Sequence, residues 1–213
     1  MSRDTDGPRI APRRPCRPVE QWPALDQVAW AQAFMPGDPF KPGGLGAGWA
    51  LASRRLIATG YGKWLGWLDE RGLLDPKASP ATRATRQLVA AYGKDLQASY
   101  SPFTVQGRIQ QVGDALRVMA PDQDLRWITR GAWRLRSQAV PLRDKRARLQ
   151  SPMRLVTLGL RLMEVAQAQD VTLASALAFR DGLIIAFLAY RPLRAKNLTM
   201  ICCYQHLVRR GEA

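Results

Sequence analysis

The chain is poor in the residues that build metal centres and disulfide scaffolds. Its 213 residues include one histidine, His206, and three cysteines, Cys16, Cys202 and Cys203. Two of the cysteines are adjacent, a placement that rarely bridges, and no pair has metal-ligand spacing. This excludes a stapled scaffold and a zinc site, and it implies free thiols in a reducing cytoplasm. Long hydrophobic runs are also missing. The nearest, residues 183–190, is bracketed by Arg180, Asp181 and Arg191 and is about half the length a membrane span requires. Arginines near the N-terminus are not followed by an apolar stretch, so no secretory signal is expected. There is no internal repeat at a fixed period. Neither a cofactor nor a membrane partner is expected.

Acidic residues are scarce. There are 17 against 32 basic ones, a formal charge of +15. The imbalance is local. Residues 1–47 carry 6 basic and 5 acidic side chains, residues 48–150 carry 18 and 8, and residues 151–213 carry 8 and 4. Hydrophobic residues make up 46%, enough to bury a core and to exclude global disorder. The excess charge therefore sits on a segment that folds. A basic folded module suits a polyanion such as double-stranded DNA, where phosphate neutralisation supplies much of the affinity.

Residues 1–47 hold eight of the prolines and a Gly43-Gly44-Leu45-Gly46 stretch. They read as an extended arm with at most one short helix near residues 26–34. From Trp49 the apolar spacing becomes helical through Leu56, Ile57, Tyr61, Leu65 and Leu68, with Gly72 as the end cap. Ser79-Pro80 opens a second helix with Leu88, Val89, Tyr92 and Leu96 on one face. Ser101-Pro102 opens a third with Val105, Ile109, Val112, Leu116 and Met119. Residues 125–139 form a fourth, with Leu125, Ile128, Trp133 and Leu135 as its apolar positions. The basic run PLRDKRARL at 141–149 interrupts the pattern and reads as a linker. Ser151-Pro152 starts a fifth helix and Thr172 a sixth that reaches Tyr190. A short seventh follows from Arg194 to Ile201, and His206 begins a strand.

DNA contacts are expected from helix faces opposite the apolar stripes. These carry Arg83 and Arg86 on the second helix, Thr104 and Arg108 on the third, and Arg130 and Arg134, with Arg136 beside them, on the fourth. The linker adds Arg143, Lys145 and Arg146. Such side chains mostly hold phosphate, and only those that reach a groove edge read bases.

One stretch has motif content. The apolar helix ending at Tyr190 runs into Pro192-Leu193-Arg194, and Leu198, Thr199 and Ile201 stand four, five and seven residues after Arg194. Counting from Arg191 instead puts Ala195, Lys196 and Leu198 there, a poorer apolar stripe. The arrangement resembles the motif carrying the first catalytic arginine of the tyrosine recombinase (phage integrase) family. The resemblance implies a mainly α fold: a four-helix SAM-like core-binding bundle at 48–140, a basic linker at 141–149, and the start of a catalytic domain at 150–213. It implies double-stranded DNA as partner, self-association on DNA, and DNA strand breakage and rejoining. Arg194 would donate to the scissile phosphate. Asn197 stands where the family has a carboxylate. His206 and Arg209 have the family's His-x-x-Arg spacing but begin only twelve residues after Arg194, and no segment is placed to supply the nucleophilic tyrosine. The expectation is an incomplete catalytic domain, inactive alone. Two other readings stay open: a non-catalytic helical DNA-binding regulator, and a basic helical interaction protein.

Overall fold

A computed structural model describes residues 15–141, 149–202 and 205–206. The chain divides into two compact units, Met1–Arg143 and Asp144–Ala213. The architecture is mainly helical, as expected. No strand occurs among the described residues, only an isolated bridge between Asp38 and Lys41. Most of the 141–149 run, including Arg143, Lys145 and Arg146, lies outside the described residues, as do Leu207, Val208 and Arg209.

The described residues of the first unit form a short 3-10 turn (Val19–Gln21) and six α-helices: α1 (Ala24–Ala33), α2 (Leu51–Glu70), α3 (Pro80–Arg83), α4 (Arg86–Gln97), α5 (Pro102–Met119) and α6 (Arg126–Ser137). Their ends follow local chemistry. The Ser79 hydroxyl accepts from the Thr82 N–H at 3.4 Å, and Ser101 accepts from Thr104 at 3.4 Å; each is followed by proline at the first helical position. Gly72, at φ +64°, ends α2 while the Leu73 N–H returns to the Leu68 carbonyl at 2.8 Å. The second expected helix is in fact two. Ala84 leaves the helical region after α3, and the Thr85 hydroxyl restarts the chain by accepting from the Leu88 N–H at 3.2 Å.

Helix α5 is the hub, touching α1, α2, α3, α4 and α6. Its stripe Val105, Ile109, Val112 and Leu116 is buried, as its spacing requires. On α2 the second half is buried nearly all round, through Tyr61, Trp64, Leu65, Trp67 and Leu68. Trp64 and Trp67 stack at 5.4 Å, and Tyr92 from α4 meets both rings.

The expected N-terminal arm is corrected here. Its α-helix is present as α1, but residues 19–34 pack into the same core, while Met35, Phe40 and Leu45 are exposed. Trp22, Trp30 and Ala33 are buried with the α2 tryptophans, and Trp22 meets Tyr61 edge-on at 5.0 Å. The Arg17 N–H donates to the Gly62 carbonyl at 3.1 Å. A Cβ at Gly62 would stand 2.1 Å from the Arg17 oxygen, and one at Gly66 would stand 2.3 Å from that of Pro15. Two glycines one helical turn apart thus open a track for the incoming chain. Pro15, Pro18 and Pro23 punctuate that entry, each with a fixed φ and no N–H left to satisfy.

A buried polar cluster locks the arrangement. Asp26 on α1 is fully buried. It accepts from the Tyr61 hydroxyl at 2.6 Å and forms an ion pair with Arg83 on α3. Arg83 also donates to the carbonyls of Asp75 at 2.7 Å and Ala78 at 2.6 Å. Removal from water, then the neighbouring Asp26 charge, push the Tyr61 hydroxyl well above its ordinary pKa of 10.0.

The described residues of the second unit form α7 (Pro152–Gln167), α8 (Leu173–Tyr190) and α9 (Ala195–Thr199). Thr172 and Ser175 make a reciprocal capping box at the start of α8. Helices α7 and α8 touch backbone to backbone. A Cβ at Gly159 would stand 2.6 Å from the Gly182 oxygen and 2.7 Å from the Ala186 nitrogen. Only Val156, Gly159 and Ala166 of α7 and Ser175, Gly182 and Ala186 of α8 are buried. Leu158, Leu160 and Val165 of α7 are exposed. By length and composition α8 is apolar enough to cross a membrane, with mean hydropathy 1.6. Mid-helix it carries Arg180 and Asp181, paired at 2.7 Å.

Candidate nucleic-acid interface

The expected DNA-contacting residues that the structure describes do not share one environment. Arg83 is withdrawn from the candidate set. Its guanidinium is buried against Asp26 and two carbonyls, so it is a structural tie with no surface to offer a phosphate. Thr104 sits in the first turn of α5, and its hydroxyl shares a 3.0 Å hydrogen bond with that of Ser101, so it serves the cap. Arg108, half-buried on α5, donates to Gln111 Oε1 at 2.9 Å.

Arg86 and Arg134 do come together. They line a groove of about 660 Å³ between α4 and α6, whose apolar floor includes Val89, Ile109, Ile128 and Leu135. Arg86 lies at the first position of α4, where the helix dipole is positive. Its guanidinium lies over the Trp127 ring, 4.9 Å from the centroid. Lys94 is the third cation of the groove, and no acidic residue lines it. Lys94 was missed from sequence although Arg86, Ala90 and Lys94 follow one helix face at four-residue steps.

Helix α6 carries the densest charge. Arg126, Arg130, Arg134 and Arg136 lie on twelve residues with no acid among them. Arg126 pairs with Asp124 at 2.8 Å, and hydrogen bonds from Arg126 hold that exposed carboxyl at about 2. Arg130, Arg134 and Arg136 have no ion pair among the described residues. Trp133, expected on the buried face, is 68% exposed. The buried positions are Ile128 and Ala132, one turn apart, which turns residue 133 outward.

Sequence spacing also missed Lys63. It stands near Arg108, and burial followed by the Arg108 charge pushes its ammonium below the usual lysine range. A bound anion would relieve that repulsion.

In the second unit Arg194 is exposed and caps α9 with extended backbone, φ −68° and ψ 142°. The helix it opens is shorter than expected. Leu198 and Ile201 are half-buried and Thr199 is exposed. Arg194 has no ion pair among the described residues. The His206 ring nitrogen Nδ1 accepts from the Cys202 N–H at 3.0 Å, which gives the histidine a local structural task. No cluster of three or more potential metal ligands occurs among the described residues. No family model, no curated protein and no solved structure matches this chain.

Proposed function

We propose that this protein binds DNA through its first unit. The observation that carries the reading is the set of cations on α4 and α6: Arg86, Lys94 and Arg134 around one acid-free groove, with Arg130 and Arg136 on the same α6. Clustered cations on a rigid helical surface repel one another, and a polyanion is the partner that offsets this at a gain of released counterions. The finer proposal is that the first unit acts as the core-binding bundle of a tyrosine-recombinase-type protein, in the cytoplasm. Arg194 would then serve as the phosphate-binding arginine of the second unit, and the exposed apolar faces of α7 and α8 would support self-association on DNA. The order of the elements and the exposed arginine at the start of α9 support it. Strand cleavage by this chain alone is no part of the proposal.

The test is a fluorescence anisotropy titration of the full chain with duplex DNA across a range of salt concentrations. If about six phosphates are contacted, log K falls with log salt at a slope near −5. Arg134→Ala lowers the slope by about 1. Absent binding at low salt, or a flat salt response, would overturn the reading.

A further inference from the structure

We propose that the outward face of α6 takes an unpaired nucleotide, with Trp133 stacking on its base and Arg130, one turn before it, holding the flanking phosphate. The inference rests on the DNA-binding reading above and narrows it to a class of substrate: DNA with a base out of the stack.

The tryptophans carry the argument. Of seven in the chain, Trp22, Trp30, Trp64 and Trp67 are buried, and Trp49 and Trp127 are partly buried against the same core. Trp133 alone is exposed, and no ring or cation contact engages it among the described residues. Residues 126, 130, 133 and 137 follow the i, i+4, i+7, i+11 spacing of one helix face. Trp133 therefore shares its face with Arg130, one turn before it, and Arg126, two turns before, whereas Arg134 turns towards the α4–α6 groove. What distinguishes Trp133 is a flat, unengaged indole beside a cation, a face that another π system matches.

The alternatives fit less well. An interfacial membrane helix needs its apolar face free, but Ile128 and Ala132 of α6 are already buried in the core. A protein partner would have to be strongly acidic around a single aromatic-binding pocket. Nucleic acid supplies both features in every nucleotide, a negative phosphate and a base with a π face. In an intact duplex those faces are hidden between neighbouring pairs. A rigid indole gains its stacking only where a base is unpaired, at a bulge, a flipped nucleotide or a single strand.

The experiment compares two labelled duplexes of one sequence, intact and with a single-nucleotide bulge, titrated with the full chain, Trp133→Ala and Trp133→Phe. The bulged duplex should bind more tightly. Trp133→Ala should cost roughly 5- to 150-fold on the bulged duplex, the range of one stacked base, and less than about twofold on the intact one. Trp133→Phe should retain most of the preference. Because Trp133 is exposed, the variants keep the thermal melting profile of the parent. If the parent binds both duplexes equally, or Trp133→Ala weakens both alike, this inference falls while DNA binding stands. If the parent binds neither duplex, the DNA-binding reading fails and this inference with it.

Discussion

The two units solve the problem of burial differently. The first closes a core of large side chains around α5, with Tyr61, Trp64, Trp67 and Tyr92 almost wholly out of water, and ties its N-terminal segment down through the buried Asp26–Arg83 pair. The second buries mostly small residues, Gly159, Ala166, Gly182 and Ala186, and leaves Leu158, Leu160, Leu173 and Leu177 exposed. Fully burying a leucine-sized side chain contributes about 1.5–3 kcal/mol, so the first unit has a large apolar reserve and the second has little. Close backbone approach gives α7 and α8 a defined contact without covering their outer faces. Exposed apolar surface of that kind seeks a partner.

The sharpest test of the contrast is Asp26→Ala. It strands the buried Arg83 guanidinium, and losing one member of a buried pair typically costs about 3–5 kcal/mol. Urea denaturation followed by tryptophan fluorescence should show the loss in the first unit, where every tryptophan lies. Adding Arg83→Met should recover much of it. If Asp26→Ala is silent, the N-terminal segment is not tied into the core as described.

A smaller effect is expected from Gly182→Leu. The new side chain meets the Gly159 carbonyl and Met163, so α7 and α8 must separate, at about 1–3 kcal/mol. Hydrogen exchange should rise across 152–190 and stay unchanged in α5. Equal loosening of both units would show that they do not hold their cores independently.

The mildest test is alkaline titration. Because Tyr61 has its pKa raised in the folded state, the folded chain keeps a proton that the unfolded chain releases. Stability is therefore undiminished below pH 10 and falls as pH rises beyond it. Tyrosinate absorbance should show Tyr61 ionising only as the first unit unfolds, and Tyr61→Phe should remove that contribution. A Tyr61 that ionises before unfolding would mean that water reaches the Asp26 cluster.

The helix inventory was largely legible because helix ends are local. Ser79-Pro80, Ser101-Pro102, Gly72 and Thr172 each act on backbone groups within four residues, and each marks an end as expected. The break at Ala84 was harder to see, since Thr85 resembles any polar residue inside a helix until its hydroxyl is found accepting from Leu88.

The candidate site was legible in its charge and only partly in its geometry. The sequence by itself determined that the first unit is basic, that α4, α5 and α6 each carry arginines, and that Arg194 opens a short helix. Which arginine reaches solvent was decided by the tertiary structure. Arg83 and Arg86 are three residues apart, yet one is tied to Asp26, 57 positions earlier, and the other lies over Trp127. The fate of Trp133 was decided in the same way, by the side of α6 that meets α5. Pairing, burial and exposure depend on residues far apart in the chain, whereas periodicity and caps depend on neighbours. Charge and helix ends could therefore be read in order along the sequence, and the surface that presents them required the fold.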